Sequence, residues 1–211
     1  MTELTDFLTG RPTTTIAADL LGKQLQLTTT DGPLTAWITE TEAYLGERDA
    51  GAHAFKNHRT PRNQALWLAP GTIYIYQMRA QFLLNFVTQA VGTPQSVLIR
   101  GIEPVAGLDQ MQRNRPVPLA NLTNGPGKLM QALGLQHELN GQPLSPQTLN
   151  LSLKTQRQPQ TIVSSARIGI VNKGDWSTVP LRYYVAGNPF VSQMRKRDVD
   201  TVNAGWRPLK N

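Results

Sequence analysis

The sequence predicts one mixed α/β domain of the α+β kind, and three observations carry that reading. Two hairpins are signalled by alternating apolar runs joined by short turns, at 23–44 and at 72–88. Short helical stripes with Gly and Pro punctuation lie around them. No internal repeat or linker divides the 211 residues, which are enough for a substantial core.

The elements follow in order. Leu4 to Gly10 reads as a short arm. Thr13-Thr14-Thr15 offers capping hydroxyls to a helical stripe of Ile16, Leu20 and Leu21 that ends near Gly22. Lys23 to Thr29 alternates, with Leu25 and Leu27 on one face, and Asp31-Gly32 turns the chain into an extended run from Leu34 to Tyr44. In that run strict alternation places Leu34, Ala36, Ile38, Glu40, Glu42 and Tyr44 on one face. A carboxylate in a core-facing register is costly unless it is solvated, paired or used. Glu42 beside Tyr44 therefore reads as the lip of a pocket.

From Gly46 to Pro70 the periodicity disappears. A long loop inside a compact domain is usually functional or disordered, and this one is too varied for disorder. It reads as a loop folded over the pocket. It carries His53 among small residues and a basic, turn-prone stretch, His58-Arg59-Thr60-Pro61-Arg62-Asn63. Thr72 to Met78 then puts Ile73 and Ile75 on one face and Tyr74 and Tyr76 on the other. Gln81 to Thr88 groups Phe82, Leu84 and Phe86, and the link 77–80 makes a hairpin whose tip offers Met78 and Arg79. Ser96 to Ile102 places Leu98 and Arg100 on the same face. Val105 to Arg113 reads as a short helix, and Gly125-Pro126-Gly127-Lys128 opens a second with Leu129, Ala132 and Leu133 buried. Lys128 at that helix start is a candidate phosphate contact. Leu149, Leu151 and Leu153 mark an edge strand, Ile162 to Val171 and Leu181 to Val185 two more, and Met194-Arg195-Lys196-Arg197 a basic tail.

Charge and composition narrow the function. Lys plus Arg is 21 against 14 acids, a net +7, which favours a polyanionic partner, nucleic acid before membrane. There is no cysteine, so disulfides, thiolate chemistry and Cys-ligated zinc are excluded. The histidines His53, His58 and His137 have no metal-ligand spacing. No apolar run spans a bilayer, and the opening Met1-Thr2-Glu3-Leu4 is not a signal peptide, so a cytoplasmic address is expected.

Several rare strings now stand in order: TETEAYLG (39–46), AH (52–53), TPRN (60–63), PGTIYIY (70–76), LIRGIEP (98–104), NGPGKLMQAL (124–133) and LRYYVAGNPF (181–190). In this the chain resembles the alkyladenine (3-methyladenine) DNA glycosylase family. The resemblance implies one compact α/β domain on a curved antiparallel sheet, with a protruding DNA-probing hairpin and short surrounding helices. It implies a monomeric, cofactor-free, metal-free, monofunctional enzyme acting on duplex DNA. Such an enzyme flips out an alkylated or deaminated purine and hydrolyses its N-glycosidic bond without lyase activity. 3-Methyladenine and 7-methylguanine head the expected lesions, with hypoxanthine and ethenoadenine as further candidates.

By the same resemblance, Glu42 matches the general base that activates water. Arg100 matches the arginine that orients water and base, and Ile168 the position whose main-chain carbonyl holds the water. Tyr44, His53 and Tyr76 match the walls around the flipped base. Asn85 matches the asparagine that disfavours guanine, and Leu98 an apolar pocket contact. Thr60, Arg62 and Lys128 are the expected DNA-backbone contacts. The family's hairpin carries a wedging tyrosine. Here Met78 or Arg79 must serve, an apolar or long side chain being able to fill a vacated stack.

The residue types fit this chemistry independently. A carboxylate can stabilise an oxocarbenium-like state and deprotonate water, and phenol rings attract a cationic base. Two other classes remain open on sequence alone: a non-catalytic nucleic-acid-binding module on the same scaffold, and a tRNA-binding accessory domain of a formyl-transfer enzyme.

Overall fold

The computed structural model describes residues 3–208. The leader reading at Met1-Thr2 therefore lies outside the described residues. The chain runs α1 (Glu3–Leu8), α2 (Thr13–Asp19), β1 (Lys23–Leu27), β2 (Leu34–Tyr44), β3 (Ile73–Met78), β4 (Gln81–Thr88), β5 (Gln95–Ala106), α3 (Leu108–Asn114), α4 (Pro126–Leu133), β6 (Leu149–Gln156), β7 (Ile162–Ser165) and β8 (Arg182–Val185). The strands form one eight-stranded sheet of antiparallel pairs in the order β3-β4-β5-β2-β1-β6. β8 pairs with the second half of β2 and with β7. Both expected hairpins form, β1–β2 and β3–β4, and β6 lies at the sheet edge as its spaced leucines suggest. Among the described residues no helix is long and apolar enough to cross a membrane.

One face of the sheet carries the main core. Ile38, Ile73, Ile75, Leu84, Phe86, Val97 and Ile99 are fully buried there. α2 packs on β2 and β5, and α4 on β4 and β5. α4 forms as its sequence suggests: Pro126 stands in the first turn, Leu129, Ala132 and Leu133 are buried, and Gly134 ends the helix at φ 68°. On the opposite face the loop between β2 and β3 folds into three short 3₁₀ turns. Ala54, Ala65, Leu66 and Trp67 from this loop pack against Tyr74 and Val87 in a second cluster.

Strict alternation fails in the middle of β2, and the failure builds the site. The pairing with β5 shifts at Ile38/Glu40 and shifts back at Glu40/Thr41, so each strand carries one extra residue at this point. Paired bulges exchange the two faces. Leu34, Ala36 and Ile38 lie in the core before the bulge, and Ala43 lies in it after, while Thr41 donates its hydroxyl to Ala17 O of α2. Glu40, Glu42 and Tyr44 thus leave the face of Ile38, which corrects the single-face expectation. In β5 the same exchange puts Val97, Ile99 and Ile102 in the core and turns Leu98 and Arg100 the other way. Without the double bulge two carboxylates would enter the apolar core.

Other expectations are corrected locally. The segment Leu4 to Gly10 is helical through Leu8, not an arm. The N-cap of α2 is Pro12, and the Thr13 hydroxyl goes instead to Thr88 and Gln95. β5 continues to Ala106, so α3 begins at Leu108 after Gly107 (φ 76°), where an added Cβ would lie 2.2 Å from Leu34 Cδ2. β7 ends at Ser165 rather than Val171, because Arg167 turns inward to a buried partner.

Candidate active site

Glu42 sits on β2 just past the bulge and is fully buried. Three groups hold its carboxylate. The Tyr44 hydroxyl donates to Oε2 at 2.9 Å, the Ile168 amide donates to Oε1 at 2.8 Å, and an Arg100 guanidinium nitrogen lies 3.3 Å from Oε1. Burial raises the Glu42 carboxyl above the usual range, outweighing Arg100, the Ile168 amide and the Tyr44 hydroxyl. Burial also raises the Tyr44 hydroxyl, with Glu42 adding to it, so this phenol remains a donor.

Behind Glu42 lies a second buried acid. Glu40 accepts from Arg100 Nε (2.9 Å), Arg182 Nε (2.6 Å), and the Ser192 amide and hydroxyl (2.7 Å each). Burial acts to raise this carboxyl too, but Arg100, Arg182 and Ser192 outweigh it and hold it below the usual range. Arg100 is therefore bracketed by two acids. Burial disfavours its charge, and Glu42 and Glu40 more than restore it. Arg100 does not pair with Glu103, its neighbour in β5: Glu103 binds Arg157, Asn188 and the Trp206 indole.

Above Arg100 opens a cavity of about 130 Å³. It is lined by Tyr44, His53, Tyr74, Tyr76, Met78, Asn85, Leu98, Arg100 and Ile168, with Gly51, Ala52, Gly169 and Ile170 at its loop side. Each strand supplies its residue by alternation: Tyr74 and Tyr76 from β3, Asn85 from β4, Leu98 and Arg100 from β5. His53 stacks on Tyr76 with ring centroids 3.7 Å apart, and its Nδ1 lies 2.9 Å from the Tyr74 hydroxyl. Enclosure of the imidazole, then the charge of Arg62, lowers its pKa to about 4, although the residue as a whole keeps solvent access. His53 is therefore neutral at pH 7. Asn85 Nδ2 donates to Tyr74 O and Leu83 O, which fixes the amide at the wall.

The structure thus brings together Glu42, Tyr44, His53, Tyr76, Met78, Asn85, Leu98, Arg100 and Ile168. The contact made by Ile168 to Glu42 is through its amide. Five expected residues lie outside the cavity lining: Glu42, which is fully buried behind Tyr44, Arg100 and Ile168 rather than at the pocket lip, and four more. Arg62 is exposed, packs over Tyr76 at 5.0 Å and donates to Gln77 O. Thr60 binds Asn63 within the loop. Lys128 donates to Asn124 at the start of α4. Arg79 is exposed at the tip of the β3–β4 hairpin with φ 55°, beside Met78, which is 52% exposed. Among the described residues no group of three His, Asp or Glu side chains is placed to hold a metal ion.

Sequence reasoning missed two pairs. Glu40–Arg182 was half visible, since two acids two residues apart in one strand demand compensation. Asp49–Arg167 carries no periodic or motif signal: Asp49 lies in the aperiodic loop after β2, and Arg167 immediately precedes Ile168.

The arrangement can hold a flat ring against an aromatic lining, near a buried, elevated carboxylate that can take a proton. Comparison with known proteins agrees with that chemistry. Residues 6–189 match the methylpurine-DNA glycosylase family. Three relatives are each named "Putative 3-methyladenine DNA glycosylase". That of Lactiplantibacillus plantarum is 67% identical over 206 residues, covering 98% of this chain and 99% of the relative. That of Latilactobacillus sakei is 51% identical over 95% of each chain. That of Enterococcus faecalis is 44% identical over 100% of this chain and 93% of its own. On a match of this length and these identities, the chain belongs to the methylpurine-DNA glycosylase family.

Proposed function

We propose that this protein is a monofunctional DNA glycosylase of base excision repair. It everts an alkylated purine, 3-methyladenine or 7-methylguanine, from duplex DNA and hydrolyses the N-glycosidic bond. The observation that carries the reading is the buried Glu42 carboxylate, held by Arg100, Tyr44 and the Ile168 amide, three residues that themselves line an aromatic cavity.

Glu42 takes a proton from water while the water oxygen bonds to C1′ of the sugar. The C1′–N9 bond breaks, and its electron pair leaves with the purine. An abasic site remains. The Ile168 carbonyl and Arg100 orient the water. An alkylated purine is cationic and leaves as a neutral base, so the protein needs no acid to assist its departure. Selection rests on the cavity walls. An aromatic face favours a cationic ring by about 0.5–2 kcal/mol, and eversion costs a few kcal/mol, least for a damaged base. Neutral His53 can donate to or accept from the base edge, which extends the reading to hypoxanthine and ethenoadenine. Asn85 crowds the 2-amino group and so disfavours unmodified guanine, which lacks the cationic ring that draws 7-methylguanine to the aromatic lining, and Leu98 packs on the base.

Outside the cavity, Met78 and Arg79 fill the vacated stack, and Thr60, Arg62 and Lys128 contact the phosphates. Lys56, Arg59 and Arg62 lie over Phe55, Trp67 and Tyr76, which gives the loop an exposed cationic rim beside the cavity.

The test is release of free base from a panel of duplexes carrying single lesions, run with and without borohydride. Release of methylated purine with no trapped covalent adduct is expected. A borohydride-stable protein–DNA adduct, or binding without release of any base, would overturn the reading.

A further inference from the structure

Arg167 and Asp49 form a fully buried pair that the proposed reaction does not use. Arg167 donates to both Asp49 oxygens, at 2.6 and 2.7 Å, in a two-point fork. It also donates to Ala43 O, and its guanidinium carbon lies 4.6 Å from the centre of the Tyr44 ring. Asp49 is fixed in turn by the Leu45 and Gly51 amides. The space is tight: a Cβ added at Gly51 would lie 2.5 Å from an Arg167 terminal nitrogen and 2.9 Å from Ile170.

A buried ion pair is weak evidence for stability, since apolar residues often replace one without loss. Its placement points elsewhere. The residue after Arg167 is Ile168, whose amide binds one oxygen of Glu42. The ring behind which Arg167 stacks is Tyr44, whose hydroxyl binds the other. Arg167 therefore touches the supports of both carboxylate oxygens and touches neither oxygen itself.

We propose that Arg167, locked by Asp49, is a positioning residue for Glu42: it seats the Ile168 amide on the carboxylate and backs the Tyr44 ring. This deepens the glycosylase reading and rests on it. An amide donating to a carboxylate favours the anion. Loosening Arg167 therefore makes Glu42 harder to deprotonate, and the activity is lost at a higher pH on acidification. Removing one well-made donor corresponds to about one pH unit, a tenfold change in proton affinity.

The experiment is the pH profile of single-turnover release from a duplex bearing 7-methylguanine, corrected for spontaneous release. Arg167→Lys keeps the charge and loses the fork. Asp49→Glu, outside the cavity lining, keeps the charge and displaces the fork by one methylene. Thermal melting establishes that each variant is folded, and wild type and Glu42→Gln run alongside. The expected result is an acid limb displaced upward by about one unit in both variants, so that release falls about tenfold at low pH and recovers at high pH. A rate lowered equally at every pH, or a profile like the wild type's, overturns the proposal. Loss of folding in both variants overturns it too, because the pair would then be a staple of the fold. Absence of release by the wild type, or wild-type release by Glu42→Gln, counts against the glycosylase reading instead.

Discussion

Replacing Glu40 by Gln removes one charge from a buried network and changes little else in shape. Glu40 is fully buried and accepts four hydrogen bonds, two of them from arginines. With Glu40 and Glu42 both anionic, Arg100 and Arg182 are balanced. In Glu40→Gln one buried cation loses its counter-charge. Breaking a buried pair on one side costs about 3–5 kcal/mol. The amide keeps one acceptor, so the lower end applies, about 3 kcal/mol. At ~2–4 °C per kcal/mol for a chain of this size, the melting temperature at pH 7 falls by about 6–12 °C.

The pH dependence gives a second reading of the same variant. The folded pKa of Glu40 lies below its ordinary 4.5. Its stabilisation is therefore complete above that value and is lost as pH falls through the folded pKa. The gap between wild type and Glu40→Gln closes at the acid end. Glu40 also raises the Glu42 carboxyl, so its removal moves the acid limb of activity to lower pH. Melting curves and rate profiles from neutral pH downward measure both. A melting temperature within about 2 °C of wild type at pH 7 would show that Glu40 does not hold Arg100 and Arg182 as a buried counter-charge.

Other outcomes follow from the site. His53 has a pKa near 4 in the folded protein, below its ordinary 6.5, so the imidazole is neutral at pH 7 and unfolding is favoured as pH falls from 6.5 toward 4. Nitrogen NMR of the ring checks this, and a titration centred near 6.5 would contradict the enclosure of His53 by Tyr74 and Tyr76. His53→Ala is expected to lose hypoxanthine release while keeping 3-methyladenine release, measured on matched duplexes. Met78 is exposed at the hairpin tip, so Met78→Ala changes stability by less than about 0.5 kcal/mol. It should slow release from intact duplex more than from a mismatched one, where eversion costs less, and equal slowing on both would remove Met78 from the wedge.

Much of the scaffold was legible because it rests on local signals. β2 and β4 run over the expected residues, the two tyrosines of β3 share a face, and Pro126 opens α4. Leu98 and Arg100 fall on one side of β5 because a period of two is hard to mistake. What the sequence hid depends on contacts between distant segments. The bulge at Glu40 arises from a shift in pairing against Gly101, where an added Cβ would lie 2.5 Å from Phe190 O. No pattern within 34–44 announces it. Asp49 and Arg167 are 118 residues apart, and neither stands in a periodic run. Thr13 reads as a cap and instead binds Thr88, because the hydroxyl at the far end of β4 competes with the helix end.

The proposed reaction stands or falls on Glu42 activating the water that cleaves the glycosidic bond. Its most direct test is single-turnover release from a 3-methyladenine or 7-methylguanine duplex by wild type and by Glu42→Gln, with lesion-DNA binding measured on the same samples. General-base catalysis is worth about 10²–10⁴-fold. Release should fall by at least about a hundredfold while binding holds within a few-fold. Release by Glu42→Gln within tenfold of wild type would contradict the account.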